Sequence, residues 1–153
     1  MGKIRLARVD SRLASGNLVK EWTKAYKLDK LIIANDKTKR DTIRIEVMDL
    51  TVPVNVRSIY LKVSEVRDFL KNNKGDYFLL VENTGDLEKI IDNQIKIEEV
   101  NIGAIHMAPP KKSLTQMVAV DDNDLRILKG LKKLGIKVSI KNLPIDRDQA
   151  DLL

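Results

Sequence analysis

The sequence predicts an α/β fold: an open, mostly parallel, twisted sheet of about seven strands with helices on both faces, forming one domain over residues 1–153. Three observations carry this expectation. Apolar runs of strand length alternate with helix-spaced patterns from one end of the chain to the other. The run "YFLLVEN" (77–83) is apolar almost throughout, as a strand covered on both faces should be, and reads as a central strand. Finally, 153 residues at 43% hydrophobic and 33% charged suit a single soluble core, with no linker or repeat to divide the chain.

Taken in order, "KIRLARV" (3–9) is the first strand, and "NLVKEWTKAY" (17–26) follows as a helix with Leu18, Val19, Trp22, Ala25 and Tyr26 on one face. "KLIIAN" (30–35) leads into a helix over 39–50 whose Ile43, Val47 and Leu50 repeat the inward spacing. "VRSIYLK" (56–62) precedes a helix carrying Val63, Val66, Phe69 and Leu70, which stops at "NNKG" (72–75). After the central strand comes a helix with Leu87, Ile90 and Ile91, then a strand at 97–103. Two prolines make 104–114 a long loop rather than a helix. "TQMVAV" (115–120) is read as a sixth strand. Asp121 and Asp122 then open a helix with Leu125, Leu128 and Leu131 inward and Gly135 as its C-terminal cap, and 136–143 is the last strand.

Composition narrows the function. There is no cysteine, which removes thiolate chemistry and disulfides and fits a reducing, cytoplasmic setting. "MGKIRLARVD" lacks the apolar run of a signal peptide, and no stretch approaches the ~18 apolar residues of a membrane span. A net charge of +6 favours anionic partners, yet 4% aromatics leave few rings for base stacking, so a nucleic-acid partner is disfavoured. One histidine without cysteine makes a zinc site improbable, and nothing calls for a metal or other cofactor.

Ligands of open α/β sheets bind beyond the carboxyl ends of the strands. That rule selects four segments: 10–16, "NDKTK" (35–39), "ENTG" (82–85) and 103–115. Arg12, Lys37, Lys39, Arg40, Lys111 and Lys112 would give them a positive rim. The first loop, within "RVDSRLASGNLV" (8–19), also fronts a helix N-terminus, where free N–H groups favour an anion and Gly16 permits close approach. A phosphoryl-sized anion at 10–16 is the site expectation. The plainer reading is that Ser15 or Asn17 caps the helix, Gly16 relaxes the turn, and Asp10 pairs with Arg12. His106 lies in the long loop, equally open to being an incidental polar residue or a site member.

The first loop, "RVDSRLASGN", resembles the R-[IV]-D-x-R-L-x-H-G-Q motif of the IIB subunits of the mannose/fructose/sorbose class of the bacterial sugar phosphotransferase system. "IIANDKTKRD", "EEVNIGAIHM" and "TQMVAVDDNDLRILKGLKKLGIKVSI" are similar to further family segments, so the likeness runs the length of the chain. It implies relay of a phosphoryl group from phosphohistidine on a IIA subunit to sugar entering through the IIC/IID membrane proteins. It also implies a cytoplasmic protein held at the inner face of the membrane by its partners. Carried over by position, Asp10 would orient the loop and Arg12 would neutralise phosphoryl oxygens. Arg8, Gly16, Asn17, Asn35, Asp36, His106, Lys111 and Lys112 would contribute to phosphate or partner binding. A homo-oligomer is compatible with this picture.

The departure is at the acceptor: Ser15 stands where the family has histidine, and Asn17 where it has glutamine. An imidazole supplies a neutral nitrogen nucleophile and a labile P–N bond, whereas a serine hydroxyl without a base is a poor nucleophile whose ester does not pass phosphate on readily. The chain as written is therefore expected not to accept phosphate. Three accounts stand side by side: an introduced substitution trapping the unphosphorylated state, a regulatory or partner-binding paralogue on the same basic edge, and His106 as a relocated acceptor, with strand five beside strand one.

Overall fold

The computed structural model describes residues 1–153. Six strands form one sheet: β1 (Gly2–Asp10), β2 (Lys30–Ala34), β3 (Arg57–Leu61), β4 (Gly75–Val81), β5 (Glu99–Ala104) and β8 (Lys137–Ile140). Their order is β3-β2-β4-β1-β5-β8, and every neighbouring pair is parallel. From β1 the chain crosses to β2 on one side; from β4 it passes over β1 to β5 on the other. The direction of winding therefore changes at β1, and a crevice opens beyond its carboxyl end.

Strand alternation sends successive side chains to opposite faces, and each face has its own cover. Ile4, Ala7 and Val9 of β1 with Ile32, Leu79 and Ile102 pack under α4 (Val66–Asn72), α5 (Thr84–Ile90) and α6 (Asp122–Lys133). Leu6, Leu31, Ile33, Phe78 and Leu80 pack under α1 (Leu18–Tyr26) and Met48 of α3 (Thr42–Asp49). The second apolar layer stops short of β5 and β8. Toward that edge the same face carries Arg8 and Asp10 of β1, Asn101 of β5 and Ser139 of β8, all buried.

Helix ends follow their sequence signals. Asp121 accepts from the Asp124 amide at 2.8 Å while Asp124 Oδ2 accepts from the Asp121 amide at 3.0 Å, a reciprocal cap on α6. Gly135, at φ +80°, ends that helix by donating to the Lys132 carbonyl at 3.0 Å. No helix is long and apolar enough to cross a membrane.

Three expectations are corrected. The sixth strand shrinks to β7 (Ala119–Val120), which pairs antiparallel with β6 (Lys112–Ser113) outside the main sheet, so 104–120 folds back as a hairpin. On α1 the buried face includes Thr23 rather than Ala25, because the Thr23 hydroxyl is satisfied by the Val19 carbonyl at 2.6 Å. The helix expected over 39–50 begins only at Thr42 as α3, with Asp41 capping it through the Arg44 amide at 3.0 Å, while the segment 35–39, expected as a turn, forms the short helix α2 (Asp36–Lys39). Apolar residues lie on opposite faces of α3. Met48 with half-buried Ile45 turns inward, leaving Ile43, Val47 and Leu50 at 73%, 58% and 86% exposure.

This arrangement predicts a contrast measurable by urea denaturation. Leu79→Ala, in the closed centre of the sheet, should cost about 2–5 kcal/mol. Val47→Glu on the outer face of α3 should change stability by less than about 0.5 kcal/mol, whereas a large loss there would mean that this face is packed.

Candidate functional site

Beyond the carboxyl end of β1 the chain turns sharply. Leu13 adopts φ +57° and Gly16 φ +56°, both in the left-handed region. Leu13 tolerates a conformation unfavourable for a branched side chain because that side chain is fully buried between β1 and α1. Gly16 has no such compensation and needs none, lacking a Cβ.

The loop is held by a buried charged network. Arg8 and Asp10 share one face of β1 and are both 0% exposed. Arg8 Nε and Nη2 donate to Asp10 Oδ2 at 3.2 and 2.8 Å. Its Nη1 reaches Asn101 Oδ1 at 2.7 Å and the Asn142 carbonyl at 2.8 Å. All three guanidinium nitrogens are thus satisfied, which is the condition for burying the charge. Burial lowers the Arg8 pKa, and attraction and hydrogen bonds from Asp10 oppose that shift.

Arg12 clamps the same carboxylate from the other side. Its amide and Nε donate to Asp10 Oδ1 at 2.9 and 3.0 Å, and its Nη2 donates to Asp10 Oδ2 at 2.8 Å. The hydrogen bond to Asp10 raises the Arg12 pKa. Arg12 keeps 32% of its side chain exposed, so its outer edge faces solvent while Asp10 fixes its plane.

Space for Arg8 comes from Gly103. A Cβ built at that position would lie 2.1 Å from the Arg8 Cζ, so the guanidinium lies directly over the backbone of β5. Trp22 of α1 covers Arg8, its ring centroid 5.4 Å from Cζ, and donates its Nε1 to the Asn142 carbonyl at 2.9 Å. Asn142 Oδ1 also accepts from Arg8 Nη2 at 3.2 Å and Arg12 Nη2 at 3.0 Å. One asparagine beyond β8 therefore ties α1, the first loop and the sheet together.

At the front of this frame lie Ser15, half-buried, and Gly16 and Asn17, both exposed. The capping alternative is not what forms: Asn17 makes no side-chain cap bond, and α1 begins with Leu18 donating to the Ser15 carbonyl at 3.3 Å. The Leu18 amide is thereby engaged, and those of Val19 and Lys20 are left without a backbone or side-chain partner. The pairing half of the plainer reading does hold, since Asp10 and Arg12 bond as described. His106 is exposed and shares a cleft of about 300 Å³ with Arg12 and Gln116, in the hairpin beside the first loop. Its amide donates to Ser11 Oγ at 3.0 Å.

Other expected site members are committed to the fold. Asn35 accepts from the Thr38 amide at 2.9 Å and donates to Glu82 Oε2 at 2.6 Å, capping α2. Asp36 accepts from the Val63 amide at 2.9 Å. Both follow β2, which β4 separates from β1. Lys111 bonds Asp124 and Asp121 at the start of α6; burial opposes its charge, but the two carboxylates prevail and raise its pKa. Lys112 is exposed on the hairpin. Arg8, fully enclosed, acts on Asp10 rather than on a ligand. Asn142, Asn101 and Trp22 escaped the sequence reading of the site, although Asn142 stands at the carboxyl end of the last strand, where that same rule would have looked; Gly103 fell within the selected segment 103–115 but was not singled out.

A family model described as the PTS system sorbose subfamily IIB component matches residues 4–152. The chain belongs to this family of IIB components. It is 26% identical over 152 residues to the PTS system fructose-specific EIIB component of Bacillus subtilis, covering 97% of this chain and 93% of the relative. It is 29% identical over 146 residues to the mannose-specific EIIAB component of Escherichia coli, covering 94% of this chain and 45% of that longer relative. The crystal structure of the N-acetylgalactosamine-specific IIB component 1 from Escherichia coli superposes with a TM-score of 0.87 at 26% identity, covering 95% of this chain and 97% of that one.

In this IIB chain the buried ion pair should dominate loop stability. Asp10→Asn, which strands the Arg8 charge, should cost about 3–5 kcal/mol in urea denaturation. Arg12→Gln, at a partly exposed position, should cost about 1 kcal/mol. Equal losses for the two variants would place the pair outside the framework role described.

Proposed function

We propose that this IIB chain occupies the relay position of a sugar phosphotransferase system and docks a phosphorylated IIA donor, but leaves the phosphoryl group on it. Its partners on this reading are IIA and the IIC/IID membrane proteins, which hold it at the cytoplasmic face of the membrane. The longer Escherichia coli relative, named an EIIAB component, is consistent with a IIA partner working close to such a domain.

One observation carries the reading: beside the basic first loop, the acceptor position, Ser15, has no base within its hydrogen-bond network. On this reading Arg12, Gly16 and the first turn of α1, which has no side-chain cap, would hold a phosphoryl group by charge and amide donors, which is most of what phosphoryl transfer asks of a protein. Both oxygens of Asp10 are taken up by Arg8 and Arg12, so Asp10 cannot draw a proton from Ser15. The His106 imidazole makes no hydrogen bond to Ser15; only its backbone amide is tied to the first loop, donating to Ser11 Oγ. Without a base the hydroxyl stays protonated and does not displace phosphate from a phosphohistidine. Occupying the donor without discharging it would make the chain a competitor of, or an assembly partner for, an active IIB.

Incubation with a radiophosphorylated IIA protein of the same subfamily tests this. The wild-type chain should remain unlabelled, and Ser15→His should gain acid-labile label. Acid-stable label on Ser15, or acid-labile label on His106 in the wild type, would overturn the proposal.

A further inference from the structure

Beside the first loop a groove of about 840 Å³ runs between α1 and residues 50–55. Its two walls differ in kind. Lys20, Lys24 and Lys27 line one wall at i, i+4 and i+7 of α1 and the turn after it, all exposed and none engaged in an ion pair. Asp29 is the carboxylate among the lining residues, so the wall is net positive. The opposite wall carries Leu50, Val52 and Pro53. From Leu50 the apolar surface continues along the outer face of α3 through Val47 and Ile43, both exposed. An apolar stripe at helical spacing, turned outward beside a row of unpaired lysines, is unusual for a surface that meets only water.

Shape selects among occupants that such chemistry would attract. A bilayer is flat and cannot fill a recess whose walls stand above it. Two turns of helix, a cylinder about 10 Å wide and 11 Å long, take up about 850 Å³, close to the space available. A second copy of this chain would bring a second row of lysines toward the first. We propose that this groove docks an acidic amphipathic helix of a protein partner, with carboxylates against Lys20, Lys24 and Lys27 and aliphatic side chains against Leu50 and Val47. The charges set the register and the apolar wall supplies most of the affinity. The proposal does not depend on how Ser15 handles phosphate, because none of these residues belongs to the Asp10 network.

A fluorescein-labelled amphipathic peptide, with Glu at i, i+4 and i+7 and Leu on the neighbouring face, is the probe, read by fluorescence polarisation. The wild-type chain should bind it, and the double variant Lys20→Glu/Lys24→Glu and the single variant Leu50→Asp should each bind about tenfold more weakly, about 1.4 kcal/mol. Because every substituted position is exposed, circular dichroism of the variants should match the wild type. Equal binding of a Gln-for-Glu peptide, or undiminished binding by the variants, would overturn the proposal. So would wild-type adsorption to phosphatidylglycerol vesicles, or Leu50-dependent self-association in sedimentation, with no binding of the peptide.

Discussion

Asp10 is the carboxylate on which the site depends. It lies fully buried at the end of β1, between a guanidinium that never reaches solvent and one that does. The inner arginine makes the ion pair possible by filling its remaining hydrogen bonds with Asn101 and Asn142; the outer one inherits a fixed orientation from it. A salt bridge in this position is not an economical source of stability, since desolvating both charges offsets most of their attraction. What it provides is specificity of arrangement. Gly103 leaves room for the guanidinium, Trp22 closes over it, and the asparagine after β8 receives bonds from three directions.

The same network explains why the frame and the chemistry can separate. Asp10, Arg8, Arg12 and Asn142 bond to one another, and none of those bonds involves the side chain at position 15. Replacing an imidazole by a hydroxyl there removes the nucleophile while leaving every bond of the frame in place. A IIB chain with serine at this position is therefore expected to retain recognition of a phosphoryl donor more completely than catalytic competence. The lysine row of α1 borders the same loop, so a partner seated in the groove and an anion in front of Gly16 would be neighbours.

The alternation of strand and helix patterns was legible in the sequence, because parallel strands buried on both faces must be apolar and their crossovers must be amphipathic. The phase of α3 was not. Ile43, Val47 and Leu50 match helical spacing as well as Ile45 and Met48 do, and only the packing of the helix decides which stripe turns inward. The antiparallel pairing was missed, because its partner strand, Lys112–Ser113, is two residues long and carries no periodicity; Ala119–Val120 lies within the strand read at 115–120. Within the site, Asp10, Arg12 and Gly16 were readable from their place after the first strand. Asn142 and Trp22 were not, since Asn142 lies 134 positions from Arg8 and 120 from Trp22, and only the strand order brings it to them. Lys111 looked like a free cation until the fold brought it to Asp124.

On the proposed reading the first loop engages the donor's phosphoryl group without taking it. Phosphorus NMR of a phosphorylated IIA protein, titrated with the wild-type chain, tests that most directly. The donor's phosphohistidine resonance should shift and broaden as the complex forms, and its integrated intensity should persist. Loss of that resonance with growth of a phosphoserine or a second phosphohistidine signal on the IIB chain would contradict it, and so would a resonance unmoved by the titration.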